Sequence, residues 1–167
     1  MNAPDRVATT LPQRIDYHQV AKLLPYKAPW LLVDRVVSWD ERTIVVQKAI
    51  SGCEANMSAH LEEGPSIMPG VLTIEFVSQG LMLLMVLINM AGLRQDSFQG
   101  AGVMARTKAT FHSPAFIGEV ITATVTVVDV VGTKTIFEGV VKAGDRLVAT
   151  VSSIGAQVFE PLTSAAA

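Results

Sequence analysis

The run PGVLTIEFVSQGLMLLMVLINMA, from Pro69 to Ala91, decides how the rest of the chain must fold. Pro69 suits the first turn of a helix, where its missing N–H costs nothing. At about 100° per residue, with Glu75 taken as the origin, Gln79 falls near 40°, Asn89 near 320° and Ser78 near 300°. Four of the five polar side chains therefore share an arc of roughly 100°, with Thr73 outside it. A helix that is apolar around most of its circumference, with one narrow polar stripe, needs other structure wrapped around it. Val71 to Ala91 is also about as long as a bilayer span. A carboxyl at Glu75 and the lack of a second such run argue for a buried core helix and against a membrane span.

The flanking sequence supplies the wrapping. Asp16 to Leu24 reads as a short helix with Asp16 as N-cap, stopped by Pro25. Leu31 to Trp39 reads as a strand interrupted at Asp34-Arg35, and Thr43 to Ile50 as a second strand after the turn Asp40-Glu41-Arg42. Residues 51–69 read as irregular. After Gly92 come four β-rich runs: Ala101 to Phe111, Glu119 to Val131, Lys134 to Lys142 and Arg146 to Val158. The breaks between them are short, which predicts antiparallel hairpins or a meander. The polar/apolar alternation from Glu119 to Val127 predicts a sheet with one wetter face. The expected class is α+β, a curved antiparallel sheet wrapped around one long central apolar helix. One domain over 15–160 is expected, with flexible ends at 1–14 and 161–167.

Composition removes several function classes. Half of the 167 residues are apolar and 17% are charged, so the chain is globular. The net charge is −2, from 13 basic and 15 acidic side chains, with no basic block of the kind nucleic-acid binding needs. Cys53 is the only cysteine, which excludes an intrachain disulfide and fits a reducing compartment. The first residues, MNAPDRVATTLPQR, carry an acid and no apolar stretch, so they do not read as a secretory signal. A cytoplasmic protein is expected.

The chemistry concentrates in the window from Ser58 to Gln79. Free N–H groups at the start of the long helix, at Gly70 and Val71, together with the helix dipole, can polarise a carbonyl oxygen. Glu75 lies about one and a half turns inside an apolar helix, so it should be hydrogen-bonded, neutral or facing a cavity. Gln79, at i+4, can hold it in place. His60 lies in the loop just ahead. An imidazole, a carboxyl and free amides in one neighbourhood are what α-proton abstraction beside a thioester, followed by β-elimination of water, would require. The plainer alternatives stay open at this level: a solvent-exposed or structural histidine, and a satisfied Glu–Gln pair in a core.

Three ordered blocks resemble the 3-hydroxyacyl-[acyl carrier protein] dehydratases of bacterial fatty-acid synthesis. That family's motif reads approximately G-H-F-P-G-x-P-x-M-P-G-V-L-x-x-E-x-x-x-Q. Met68-Pro69-Gly70-Val71-Leu72, Glu75 and Gln79 match it in register. Upstream, Leu23-Leu24-Pro25-Tyr26-Lys27-Ala28-Pro29-Trp30-Leu31-Leu32-Val33-Asp34-Arg35-Val36 resembles L-L-P-H-R-x-P-F-L-L-V-D-R-V. Downstream, Lys108 to Glu119 resembles the strand K-x-x-F-x-x-P-V-x-P-G-D. The chain departs from the motif around its histidine, which sits in Ala59-His60-Leu61-Glu62-Glu63-Gly64-Pro65, one residue further from Met68.

The resemblance implies a hot-dog fold and a homodimer, often a trimer of dimers, with His60 of one subunit facing Glu75 of the other. It implies that His60 removes the α-proton, Glu75 protonates the departing hydroxyl, and the Gly70 N–H, with Val71 beside it, binds the thioester oxygen. Gln79 would orient Glu75. Leu61, Pro69, Phe76, Met82 and Phe111 are the candidate pocket residues. No metal or organic cofactor is implied; the substrate would arrive on the phosphopantetheine arm of an acyl carrier protein, in fatty-acid or polyketide/polyene-type synthesis. Lys22, Lys27, Arg94, Arg106 and Lys108 are candidates for docking that acidic carrier. Two other readings remain: a non-catalytic hot-dog subunit that binds a carrier or a second dehydratase, and a hot-dog thioesterase.

Overall fold

The structure, a computed structural model, describes residues 11–58, 60, 64, 66–93 and 101–158. The elements run α1 (Tyr17–Leu23), β1 (Arg35–Trp39), β2 (Thr43–Ala49), α2 (Ala55–Ser58), α3 (Gly70–Met90), β3 (Ala101–Phe111), β4 (Val120–Val131), β5 (Lys134–Ala143) and β6 (Arg146–Val158). Asp16 caps α1 as its sequence predicts: its carboxylate accepts the Gln19 N–H at 3.0 Å, and the Gln19 side chain accepts the Asp16 N–H at 3.2 Å. Leu31 to Val33 are buried but belong to no strand, contrary to the sequence reading. The Leu32 N–H is taken by the side chain of Gln79 on α3, so this stretch is apolar because it lies against the helix.

The strands form one antiparallel sheet in the order β1-β2-β4-β5-β6-β3. β4, β5 and β6 are a meander joined by two tight turns. Gly132 (φ +58°) and Gly144 (φ +57°) supply the left-handed conformation at the first position of each turn. β3 does not continue that meander. It pairs with β6, while β4 pairs with β2 and β5. The short break at 113–118 is thus a crossing along the end of the curled sheet. The connection also bonds to the segment ahead of α3, which holds it there.

α3 lies on the concave face. Leu72, Phe76, Val77, Leu83, Leu84, Leu87 and Ile88 are buried with Ile44, Val46, Ile121, Val125, Phe137 and Val141 of the strands. α3 is long and apolar enough to cross a membrane, but most of it is covered by the fold, as a core helix is. Two glycines let helix and sheet approach closely. A Cβ on Gly80 would stand 3.1 Å from Val125 Cγ2 and 3.2 Å from Val46 Cγ2. A Cβ on Gly139 would overlap both γ-methyls of Val77, which is fully buried. Gly139→Ala should therefore destabilise the fold near the upper end of the roughly 1–3 kcal/mol typical of overpacking. Urea denaturation of the purified variant measures this; an unchanged midpoint would show that the helix can step back without loss.

Candidate active site

The start of α3 is fixed from outside the helix. The Met68 N–H donates to Ala115 O at 2.8 Å, and the Ile117 N–H to Ser66 O at 3.0 Å. The 113–118 connection is pinned in turn by Arg146, which donates to Ser113 Oγ at 2.7 Å, to Pro114 O, and to both Glu119 carboxylate oxygens at 2.5 and 2.6 Å. The Arg146 contact, then the Phe116 N–H, holds the Glu119 carboxyl below the usual carboxylate range. Its stabilisation is present above the ordinary carboxylate pKa and is lost as pH falls through the depressed folded-state value.

At this helix start Pro69 O accepts from the Leu72 and Thr73 N–H groups. The N–H groups of Gly70 and Val71 have no acceptor among the described residues. The Phe111 ring covers Gly70: a Cβ there would stand 2.8 to 3.2 Å from three ring atoms.

One and a half turns on, Glu75 is half-buried and Gln79 is buried. The Gln79 amide donates to Glu75 Oε1 at 3.0 Å and to Trp30 O at 2.8 Å, and its own oxygen accepts the Leu32 N–H at 2.9 Å. One buried amide therefore ties the acid to the 28–33 loop. Gln79→Leu leaves Trp30 O and the Leu32 N–H unpaired. It should cost about 1–3 kcal/mol of stability, read as a lowered midpoint in thermal or urea unfolding.

Glu75 stands on the wall of a cavity of about 150 Å³. The helix contributes Ser78, Leu81, Met82 and Met85, and the sheet contributes Val103, Met104 and Phe137 together with the small residues Gly102, Gly155 and Ala156. Tyr26 lines the same space. Burial, and then the charge of Glu75, pushes its phenol above the ordinary tyrosine range, so Tyr26 is a neutral hydrogen-bond donor beside the acid.

His60 is held differently. Its Nδ1 lies 3.1 Å from Ile67 O. A carbonyl only accepts, so Nδ1 carries a proton, and in the neutral ring the lone pair is then on Nε2, the form a general base needs. The loop leading to it is anchored by the buried Lys48, whose Nζ lies 3.0 and 2.8 Å from the two Glu54 oxygens, and by Asn56 Nδ2, which donates to Pro29 O at 3.0 Å. Asn56 and Gln79 thus hold the consecutive carbonyls of Pro29 and Trp30. The His60 ring itself is exposed and does not line the cavity of its own chain.

Of the residues singled out from sequence, Glu75, Gln79 and Met82 stand together, and Gly70 and Val71 stand at the helix start. Phe76 is not at the cavity. It lies about 100° around the helix from Glu75 and is fully buried in the core. Pro69 is buried at the helix start and Phe111 packs on Gly70, so neither lines the cavity. Leu61 and Arg94 lie outside the described residues. Sequence reading missed Tyr26 and the glycines of the sheet wall; for Tyr26 the available signal was its place in the upstream block, two residues past Leu24.

A curled antiparallel sheet around a helix that carries its one carboxyl to the wall of an apolar cavity defines the α+β hot-dog class. A chain of the dehydratase heterocomplex ApeI:P from Xenorhabdus doucetiae has this fold, with a TM-score of 0.70 and 18% identity over 83% of the present chain and 90% of that one. So does the PaaI protein of the E. coli phenylacetic acid degradation operon, with a TM-score of 0.55 and 17% identity over 72% and 80%. Residues 24–152 match the FabA-like domain, and the chain belongs to that family. A relative from Xanthomonas euvesicatoria, named 3-hydroxyacyl-[acyl-carrier-protein] dehydratase FabZ, is 33% identical over 141 residues, 81% of this chain and 88% of the relative. Its namesake from Chlamydia abortus is 38% identical over 112 residues, 65% and 69% of the two chains.

Proposed function

We propose that this protein converts a 3-hydroxyacyl thioester, carried on the phosphopantetheine arm of an acyl carrier protein, into the trans-2-enoyl thioester and water. The observation that carries this reading is Glu75, held by Gln79 on the wall of an apolar cavity in a FabA-like chain. His60 Nε2 takes a proton from C2. The charge that develops on the thioester oxygen is met by the N–H groups of Gly70 and Val71. The C3–O bond breaks, Glu75 in its acid form gives its proton to the departing hydroxyl, and the C2=C3 bond forms. The protons then re-equilibrate between the two side chains and water. The acid–base pair supplies all of this chemistry without a metal or organic cofactor.

The pair is completed by a second copy. β3 pairs with β6 on one side and with no strand on the other among the described residues. Val103, Met104, Phe111 and Val71 are exposed there and at the helix start. Such an edge calls for a partner, and side-by-side pairing of two copies would bring His60 of each toward Glu75 of the other. Trimers of such dimers are a further assembly, and the cytoplasm is the compartment this reading assigns.

The test is direct. Purified protein incubated with 3-hydroxyacyl-carrier thioesters should form the enoyl thioester, reversibly, with no release of free thiol. Thiol release without enoyl product would point to a thioesterase instead. The exposed His60 ring supports one rival, a silent subunit that acts only with another dehydratase. That rival requires no turnover alone and activity on adding the partner.

A further inference from the structure

We propose that Gly155 is a specificity residue: by placing no side chain beside Leu81 it keeps open the passage for acyl tails longer than four carbons. The inference rests on the dehydratase reading for its substrate and on the cavity alone for its geometry.

The helix wall of the cavity is the stripe Glu75, Ser78, Leu81, Met82 and Met85. Glu75 to Met85 advances about 15 Å along the helix axis. An extended chain of single bonds advances roughly 1.3 Å per bond, as three bonds span about 3.8 Å between successive Cα atoms. The stripe therefore runs alongside about ten to twelve carbons, starting from the reacting end at Glu75. The Ser78 hydroxyl turns back to Ile74 O at 3.0 Å, so its hydrogen is not left for a ligand, and the wall beyond Glu75 is effectively apolar. Met82 and Met85 add flexible thioether chains that adjust to a guest. A dry apolar cavity of about this volume is known to hold a ring the size of benzene, so 150 Å³ here has room for a substantial part of such a tail.

The facing sheet lines the space with Val103, Met104, Val130, Thr135 and Phe137, and leaves gaps between them at Gly102 and Gly155. Thr135 on β5, Gly155 on β6 and Met104 on β3 form one cross-strand row, and all three line the cavity. A Cβ on Gly155 would lie 3.7 Å from Leu81 Cδ2, 3.8 Å from Phe137 Cε1 and 3.9 Å from Thr135 O, ordinary contact distances. Its φ lies outside the left-handed region. The fold would therefore accept a side chain at 155, whereas Gly80 and Gly139 are forced by packing. At 155 the glycine does no work for the fold; the work it does is to leave a gap. Leu81, which faces it, is six residues beyond Glu75, about 9 Å along the axis. A four-carbon chain ends short of that point, and a ten-carbon chain passes it.

The experiment compares butyryl and decanoyl substrates in the unsubstituted protein and in Gly155→Ala and Gly155→Val. Affinity for the unreactive decanoyl- and butyryl-pantetheine is measured by calorimetry, and kcat/KM on the two 3-hydroxyacyl thioesters in parallel. Gly155→Val should weaken decanoyl binding and lower decanoyl kcat/KM about tenfold or more, with butyryl kcat/KM within about twofold of wild type. Gly155→Ala should do the same more weakly, with an unchanged melting temperature. Equal losses for both chain lengths in Gly155→Ala, or no loss in either variant, would overturn the proposal. If no thioester is dehydrated yet decanoyl binding still falls selectively, the passage stands and the dehydratase reading fails.

Discussion

Glu75→Gln is expected to lower the rate of dehydration a hundredfold or more while the protein folds and melts as before. The substitution keeps the size and shape of the side chain. Its amide oxygen can still accept from Gln79 Nε2, so the link through Gln79 to Trp30 O and the Leu32 N–H survives. What is lost is a proton to give to the leaving hydroxyl. General acid–base catalysis is worth typically 10²–10⁴-fold, which sets the expected loss. Steady-state kinetics with a melting curve on the same sample measure both halves of the claim. Near-full activity in a well-folded Glu75→Gln would remove the acid from the mechanism.

His60→Ala should show an equal or larger fall in kcat. The ring is exposed, and among the described residues its hydrogen bond is from Nδ1 to Ile67 O. Its removal should therefore leave stability within about 0.5 kcal/mol, the usual range for a surface change. A large kinetic loss with so small a structural one is the signature of a residue whose work is chemical. His60→Gln, which keeps a polar side chain but no base, should not rescue the rate. A His60→Ala protein retaining most of its activity would leave the ring as a loop contact and favour the silent-subunit reading.

The elements of this fold were legible to different degrees, for physical reasons. α1 was readable because Asp16 and Gln19 form a local capping box. β3 to β6 were readable because β-branched runs are broken by glycine turns, and the observed ends differ by a residue or less. The length and apolarity of α3 announced a central helix before any pairing was known. The position of β3 was not readable, since a short connection fits both a hairpin and a crossing along a curled sheet, and only the pairing of β3 with β6 decides. Leu31 to Val33 misled because an apolar run buried against a helix looks like a strand.

The site divided in the same way. Gln79 beside Glu75 follows from i+4 spacing and was found. Phe76 was misplaced because its closeness in sequence to Glu75 hid its turn toward the sheet. The cavity could not be read at all: part of its wall is Gly102 and Gly155, in strands where a glycine ordinarily reads as weakness. The proposed pairing of His60 with Glu75 likewise cannot be seen in one chain, where His60 does not line the cavity that Glu75 faces.

That pairing can be tested by mixing two inactive proteins. His60→Ala and Glu75→Gln chains, differently tagged and co-expressed, would give mixed dimers with one site holding both native groups and one holding neither. Purified through both tags, such dimers should recover about half the wild-type rate, far above either variant alone. Activity no higher than that of the separate variants would contradict a site shared between two chains.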